Sequence, residues 1–193
     1  HNIFAARLWW MLRAIGWDDA AVLDGGFVRW VGEGRPVMTD VRRHPPTRLD
    51  PHPRPGLFVD KAAVRAALAD SRTVVVNALS AEQHEGRGGV TYGRPGRIAG
   101  SVSVPARALT DPVTHAYLPR ERIRALFEAA GALGPGGGDL RRAVTYCGAG
   151  IAASSDALLL TLLGLGDVAV YDGSLEEWAR DPACPMESGP AAP

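Results

Sequence analysis

The segment Val144-Thr145-Tyr146-Cys147-Gly148-Ala149-Gly150-Ile151-Ala152-Ala153-Ser154 has the residue types for nucleophilic chemistry. A β-branched and aromatic run leads into Cys147, as a strand would. A glycine-rich turn follows, and an apolar helix then begins, with Leu158, Leu159, Leu160, Leu162 and Leu163. The thiol is thus placed at a strand-to-helix turn, where the first backbone N–H groups have no partner inside the helix. Those groups and the helix dipole favour an anion. For a cysteine that anion is the thiolate, its reactive form. Gly148 and Gly150 let the backbone curl close to a ligand. The N–H groups of Gly148, Ala149, Gly150, Ile151 and Ala152 are therefore the candidate cradle for a charge on sulfur. A buried, inert cysteine at a tight turn would show the same residue types, because cysteine often serves as a small apolar side chain.

Composition narrows the class. Of 193 residues, 46% are hydrophobic and 22% charged, enough for one full core and part of another. The formal net charge is zero, so there is no electrostatic case for nucleic acid or an acidic membrane. No apolar run reaches membrane-spanning length, and no targeting segment is visible. There is no Cys-x-x-Cys pair and no His/Cys cluster, so neither a metal nor a cofactor is expected. The second cysteine, Cys184, lies in a proline-flanked stretch, Asp181-Pro182-Ala183-Cys184-Pro185, and reads as incidental. Two cysteines in a chain of this size do not make a disulfide framework.

An internal repeat organises the chain. Leu12 to Gly16, Ala21 to Phe27 and Trp30 read like Leu160 to Gly164, Ala169 to Leu175 and Trp178, without a gap, at an offset of 148 residues. This is the signature of a tandem duplication. The offset places the first copy of the cysteine loop just before His1, which is not an initiator residue. The chain is therefore expected to be the C-terminal part of a two-domain protein. Residues 1–39 form the remnant of the first domain, with a helix from Asn2 to Gly16, a short buried strand over Ala20–Leu23 and a helix over Phe27–Gly32. Residues 40–56, with five prolines and no apolar periodicity, read as an extended linker.

Residues 57–190 then alternate between strand and helix. Strands are expected at Leu57–Val59, Thr73–Asn77, Ser101–Val104, Ala143–Tyr146 and Val168–Tyr171. Helices are expected after Asp60, which caps one carrying Val64, Ala67 and Leu68, and over Arg120–Ala130 and Ala152–Leu163. Residues 80–100 read as loop, and Gly134–Gly138 as a flexible connection. The pattern is α/β, with a mostly parallel sheet covered by helices on both faces. Ligands of such sheets bind at the carboxyl ends of strands, where Cys147 sits.

These residues resemble the rhodanese-type sulfurtransferases. The resemblance rests on Tyr146 to Ala153, on Gly96-Arg97-Ile98-Ala99-Gly100-Ser101-Val102 before Val104-Pro105, and on Tyr171 to Trp178. Arg7 to Leu12 and Leu23 to Trp30 match first-domain pieces of the tandem members. The resemblance implies a rhodanese-like fold and ping-pong transfer of a sulfane sulfur through a Cys147 persulfide. The donor would be 3-mercaptopyruvate or thiosulfate. The acceptor would be cyanide or a thiol, including a protein thiol such as thioredoxin, in a cytoplasmic setting. Related phosphatases carry a longer Cys-x-x-x-x-x-Arg loop, and the arginine position here is Ala153, which disfavours phosphoryl chemistry.

The loop lacks the cationic side chains of thiosulfate-using members and looks more like the Cys-Gly-Ser-Gly-Val-Thr loop of 3-mercaptopyruvate sulfurtransferases. It departs from those at Ala149, where they have serine. Their arginine before a glycine in the preceding long loop is Glu85 before Gly86. Arg94, Arg97 and His84 are the candidate substrate-binding side chains. Arg94 reads equally as a structural arginine, and for Arg97 and His84 the structural reading leads. The family's Asp-x-Arg after the second strand is Asn77-Ala78-Leu79. Asp172 and Trp178 recur at Asp24 and Trp30, which marks them as structural. A non-catalytic binding module and a protein-to-protein persulfide relay are the alternatives. A short remnant carrying Trp9, Trp10, Leu12, Phe27 and Trp30 is expected to pack in part on the second domain and to leave an apolar patch.

Overall fold

The computed structural model describes residues 2–90, 92–134 and 142–190. Five parallel strands form the central sheet in the order β1-β6-β5-β2-β4, with β1 Phe58–Val59, β2 Thr73–Asn77, β4 Val102–Ser103, β5 Arg142–Tyr146 and β6 Asp167–Tyr171. The register sets Asn77 beside Tyr146 and Thr145 beside Val170, so β5 is flanked by β2 and β6 up to its carboxyl end. A small antiparallel pair joins β3 Arg97–Ile98 to β7 Met186–Glu187.

Alternation along the strands loads both faces. Val74 and Val76 enter one core with Phe127, Leu159, Leu160 and Trp10. Val75 and Val144 enter the other with Val64, Ala67, Tyr171 and Trp178. The first core is covered by α1 Asn2–Ala14, α5 Arg120–Ala129 and α6 Ile151–Leu162; the second by α3 Lys61–Leu68 and α7 Ser174–Trp178. Asp60 caps α3 by accepting from the Ala63 N–H at 2.9 Å. Cys184 is buried in the second core, with the Arg65 guanidinium 3.3 Å from its sulfur.

The structure differs from the sequence reading at residues 20–23 and within the expected loop of residues 80–100, where β3 also falls, and it adds β7. Residues 20–23 form no strand, and Ala21 and Leu23 are exposed. A parallel strand needs neighbours for its N–H and C=O groups, and no strand of the described residues lies beside this one. Within the expected loop of residues 80–100, Ala81–His84 forms a short helix, α4, capped by the Ser80 hydroxyl, which accepts from Gln83 N–H. Of the Gly134–Gly138 connection, residues 135–138 lie outside the described residues. Among the described residues, no helix is long and apolar enough to cross a membrane.

The N-terminal segment is docked on the sheet domain. Trp10 is fully buried in the first core, and its indole N–H donates to the Leu57 carbonyl at 3.0 Å. Asp24 accepts from the Tyr117 N–H at 2.7 Å. The proline-rich stretch of residues 40–56 is exposed, and its end folds back, with His52 N–H on the Ile15 carbonyl and Arg54 paired with Asp18. Phe4, Leu8, Met11, Leu23, Phe27 and Val28 stay exposed, Phe27 by 69%. The N-terminal segment thus buries Trp10 and leaves an apolar outer face.

Helix α6 lies between the sheet and α1, and Ala153 to Leu160 are all buried. Asp156 falls in this stretch, and neither carboxyl oxygen has a hydrogen-bond partner among the described residues. Burial raises its pKa well above the usual carboxylate range. The folded protein therefore holds a proton that the unfolded chain releases, so Asp156 withdraws stability as pH rises from about 4 through its raised pKa. Asp156→Asn is expected to be more stable than the wild type at pH 7–8 by about 1–3 kcal/mol. The difference should close toward pH 4, as read by urea unfolding across pH. A difference independent of pH would contradict this.

Candidate active site

Cys147 follows β5 directly and is 3% exposed. The chain then turns through Gly148-Ala149-Gly150 into α6. Gly150 caps the helix at φ 75°, a conformation that glycine adopts without strain. A β-carbon there would lie 2.6 Å from Asp172 Oδ1 and 3.0 Å from Arg7 Nη1. These two side chains pair at 2.7 Å, and Arg7 also reaches the Gly150 carbonyl at 3.4 Å. An arginine of the N-terminal helix thus touches the cysteine loop.

Ser174 holds the loop from the other side. Its hydroxyl accepts from the N–H groups of Cys147 at 3.2 Å and Gly150 at 3.0 Å, and donates to the Tyr171 carbonyl at 2.8 Å. Leu175 and Glu176 N–H groups donate to the carbonyls of Cys147 and Gly148. With Cys147 and Gly150 N–H taken up in this way, the N–H groups of Gly148, Ala149, Ile151 and Ala152 have no acceptor among the described residues. The expected cradle is therefore four donors wide, and Gly150 serves as its hinge. Such donors can stabilise negative charge on sulfur.

The three candidate binding side chains are engaged elsewhere. Arg94 donates through Nε to the Ala179 carbonyl at 3.0 Å, and through Nη2 to those of Asp181 and Cys184 at 2.7 and 2.8 Å. Arg97 is buried, pairs with Glu187 at 3.2 Å and donates to the Gly189 carbonyl at 2.8 Å. His84 is buried with its Nδ1 3.1 Å from Asn77 Nδ2, and Asn77 Oδ1 accepts from Leu79 N–H at 3.0 Å. Asn77 thus meets a neutral imidazole. Burial, and then the charge of Arg97, lower the His84 pKa to about 4. The structure gathers His84 and Arg97 with Asn77 in a buried polar cluster and uses Arg94 to clamp the 179–184 turn. It does not present them as free donors beside Cys147.

Two contributors escaped the sequence reading. Ser174 sits at φ 48°, an uncommon conformation for a residue other than glycine. Its partner at the 148-residue offset is Gly26, also left-handed at φ 61°. A serine where the other copy has glycine was the available signal. Tyr92 lies across the loop: a β-carbon on Gly148 would stand 2.0 Å from its Cζ. Nothing in the spacing of Tyr92 from Cys147 announced this contact. Beside Ala149 an open depression of 460 Å³ is lined by Asp172, Gly173, Glu176, Glu177 and Arg180. Among the described residues no cluster of His, Cys, Asp or Glu could hold a metal ion.

Fold and site define a parallel α/β domain with a cysteine at the turn between its central strand and the helix that follows. The chain belongs to the rhodanese family, with residues 60–181 matching the rhodanese-like domain. It is 32% identical over 182 residues to 3-mercaptopyruvate sulfurtransferase of Mus musculus, covering 90% of this chain and 57% of that protein. It is 32% identical over 192 residues to thiosulfate sulfurtransferase of Bos taurus, covering 92% and 59%. The chain thus spans less than two thirds of the length of these curated relatives. Among solved structures, a variant of EanB with ergothioneine covalently linked to a cysteine persulfide superposes with a TM-score of 0.86 at 26% identity, over 98% of this chain and 46% of that one. The anaerobic ergothioneine biosynthesis enzyme of Chlorobium limicola, with trimethyl histidine bound, superposes at 0.83 and 25%, over 98% and 46%.

Removing the Ser174 hydroxyl leaves two buried N–H groups without an acceptor. Ser174→Ala is expected to lose about 1–3 kcal/mol in urea unfolding. Unchanged stability would show that the bridge contributes nothing to holding the loop.

Proposed function

We propose that this protein is a sulfurtransferase that carries a sulfane sulfur on Cys147. The observation that carries this reading is a cysteine at the start of a loop in which four backbone N–H groups have no acceptor among the described residues. The sulfurtransferase relatives support it. In the first half-reaction the Cys147 thiolate attacks the outer sulfur of the donor. A sulfur–sulfur bond forms, the bond between that sulfur and the donor breaks, and its electron pair leaves with the donor remnant. In the second half-reaction an acceptor lone pair attacks the outer sulfur, the sulfur–sulfur bond breaks, and the pair returns to Cys147. The enzyme is unchanged over the cycle, and each step is a displacement at sulfur.

The N–H groups of Gly148, Ala149, Ile151 and Ala152 face charge that is on sulfur in both the resting thiolate and the persulfide. Small donors such as 3-mercaptopyruvate or thiosulfate, and acceptors such as cyanide, a small thiol or a thioredoxin-like protein thiol, fit this cycle. A reducing compartment such as the cytoplasm keeps Cys147 as the thiol that the cycle needs.

The test is cyanide-dependent thiocyanate formation with 3-mercaptopyruvate and with thiosulfate, on the wild type and on Cys147→Ser. Turnover in the wild type, lost entirely in Cys147→Ser, is the expected result. A folded wild type that turns over neither donor would overturn the reading.

A further inference from the structure

The mechanism above uses backbone donors only. One side chain over the loop remains without a role. Tyr92 lies half-buried with its phenol against Gly148, the residue that follows the nucleophile. A β-carbon on Gly148 would stand 2.0 Å from Tyr92 Cζ, 2.2 Å from its hydroxyl oxygen and 2.4 Å from Cε1. The hydroxyl end of the ring is therefore the part that meets the loop. Its position is fixed from behind, because the ring packs beside the second core and lines a narrow void with Leu79, Gln83 and Leu175. Leu175 belongs to the same segment that bonds the Cys147 carbonyl. The Tyr92 hydroxyl makes no hydrogen bond to a described residue.

The surroundings explain why such a group would matter. The loop side chains are Ala149, Ile151, Ala152 and Ala153, so the loop offers no cation. Arg94 and Arg97 are held by carbonyls and by Glu187. The adjoining depression carries Asp172, Glu176 and Glu177, against which stand only Arg180, held by Glu176 at 3.0 Å, and Arg7, held by Asp172 at 2.7 Å. A sulfur anion on Cys147 therefore meets no free guanidinium or ammonium among the described residues lining the loop and this depression. A neutral O–H is the donor that such a site can offer. Burial first, then the charges of Cys147 and Glu176, push the Tyr92 ionisation above its ordinary value. The phenol thus keeps its proton across the range in which a cysteine becomes a thiolate.

We propose that the Tyr92 hydroxyl donates a hydrogen bond to the outer sulfur carried by Cys147, and is a catalytic side chain of this site alongside the backbone donors. The proposal rests on the sulfurtransferase reading. It adds no bond-making step: the phenol lends its proton to the sulfur anion by hydrogen bonding and retains it throughout. Its contribution is to stabilise the persulfide anion as it forms. It also orients the outer sulfur toward the acceptor. Gly148 is then glycine for a spatial reason, since a side chain there would occupy the place of the phenol.

The test compares the wild type with Tyr92→Phe, Tyr92→Ala, Gly148→Ala and the double variant of Tyr92→Ala with Gly148→Ala. Persulfide on Cys147 is followed by intact-protein mass after addition of 3-mercaptopyruvate or thiosulfate, and turnover is followed by thiocyanate formation. Tyr92→Phe keeps the ring and loses only the hydroxyl. It is expected to unfold at the wild-type temperature, to lose about 10- to 100-fold in kcat/KM, as for a hydrogen bond to a charged group, and to lose its persulfide faster when no acceptor is present. Gly148→Ala is expected to reproduce that loss. In the Tyr92→Ala background it should add almost nothing, because the clash is gone and the two changes share one contact. Tyr92→Phe with wild-type kcat/KM and wild-type persulfide lifetime would overturn the role of the hydroxyl while leaving the sulfurtransferase standing. No persulfide and no turnover in the wild type would overturn both.

Discussion

One hydroxyl holds the site together. Ser174 Oγ accepts from two N–H groups of the cysteine loop and donates to the end of β6. Two stretches of chain, the cysteine loop and the turn after β6, therefore share one atom. The price of that bridge is a left-handed serine, a conformation that costs of order 1–3 kcal/mol outside glycine. The next two residues return the connection, since Leu175 and Glu176 N–H groups hold the carbonyls on either side of Gly148. With its carbonyls and two of its N–H groups engaged in this way, the loop has few ways to move. The N–H groups of Gly148, Ala149, Ile151 and Ala152 remain without an acceptor among the described residues. Preorganisation of this kind lets fixed dipoles stabilise charge without reorganising during reaction.

A second constraint comes from the N-terminal helix. Arg7 pairs with Asp172 and reaches the Gly150 carbonyl, and it also stacks over the Phe58 ring at 4.8 Å. One guanidinium thus ties α1 to the cysteine loop, to the turn before Ser174 and to the edge strand. In the repeat, Asp24 stands where Asp172 does. It too is used structurally, accepting from Tyr117 N–H, so both copies spend this aspartate on holding a turn.

The strands and long helices were legible because their signals are local. Thr73–Asn77 carries three successive valines between Thr73 and Asn77, and it forms β2 with those bounds. The cysteine turn announced itself through glycine spacing. Strand 20–23 was misread because its composition is that of a strand and only the missing neighbours say otherwise. Helix 81–84 was missed because four residues carry no periodicity, although Ser80 ahead of it was a capping signal. Arg94 read equally as a substrate ligand and as a structural arginine, and Arg97 more as structural, because a loop arginine carries no mark of what it touches. The carbonyl partners of Arg94 lie 85 to 90 residues away, and Arg97 reaches Glu187 and Gly189, 90 and 92 residues away. Tyr92 was silent for the same reason, since its partner Gly148 shows only that a side chain is absent.

Helix α6 has a consequence for what counts as one folding unit. Eight successive residues, Ala153 to Leu160, are buried, so the helix has no solvent side over that length. A helix buried all round belongs to an interior. The layer that closes this interior is α1, which inserts Trp10 into the same core. Cutting the chain in the proline-rich stretch of residues 40–56, where composition would place a boundary, would strip that layer and open the sheet domain to water along its longest apolar helix. The stable unit therefore includes α1 together with the sheet and the helices that flank it.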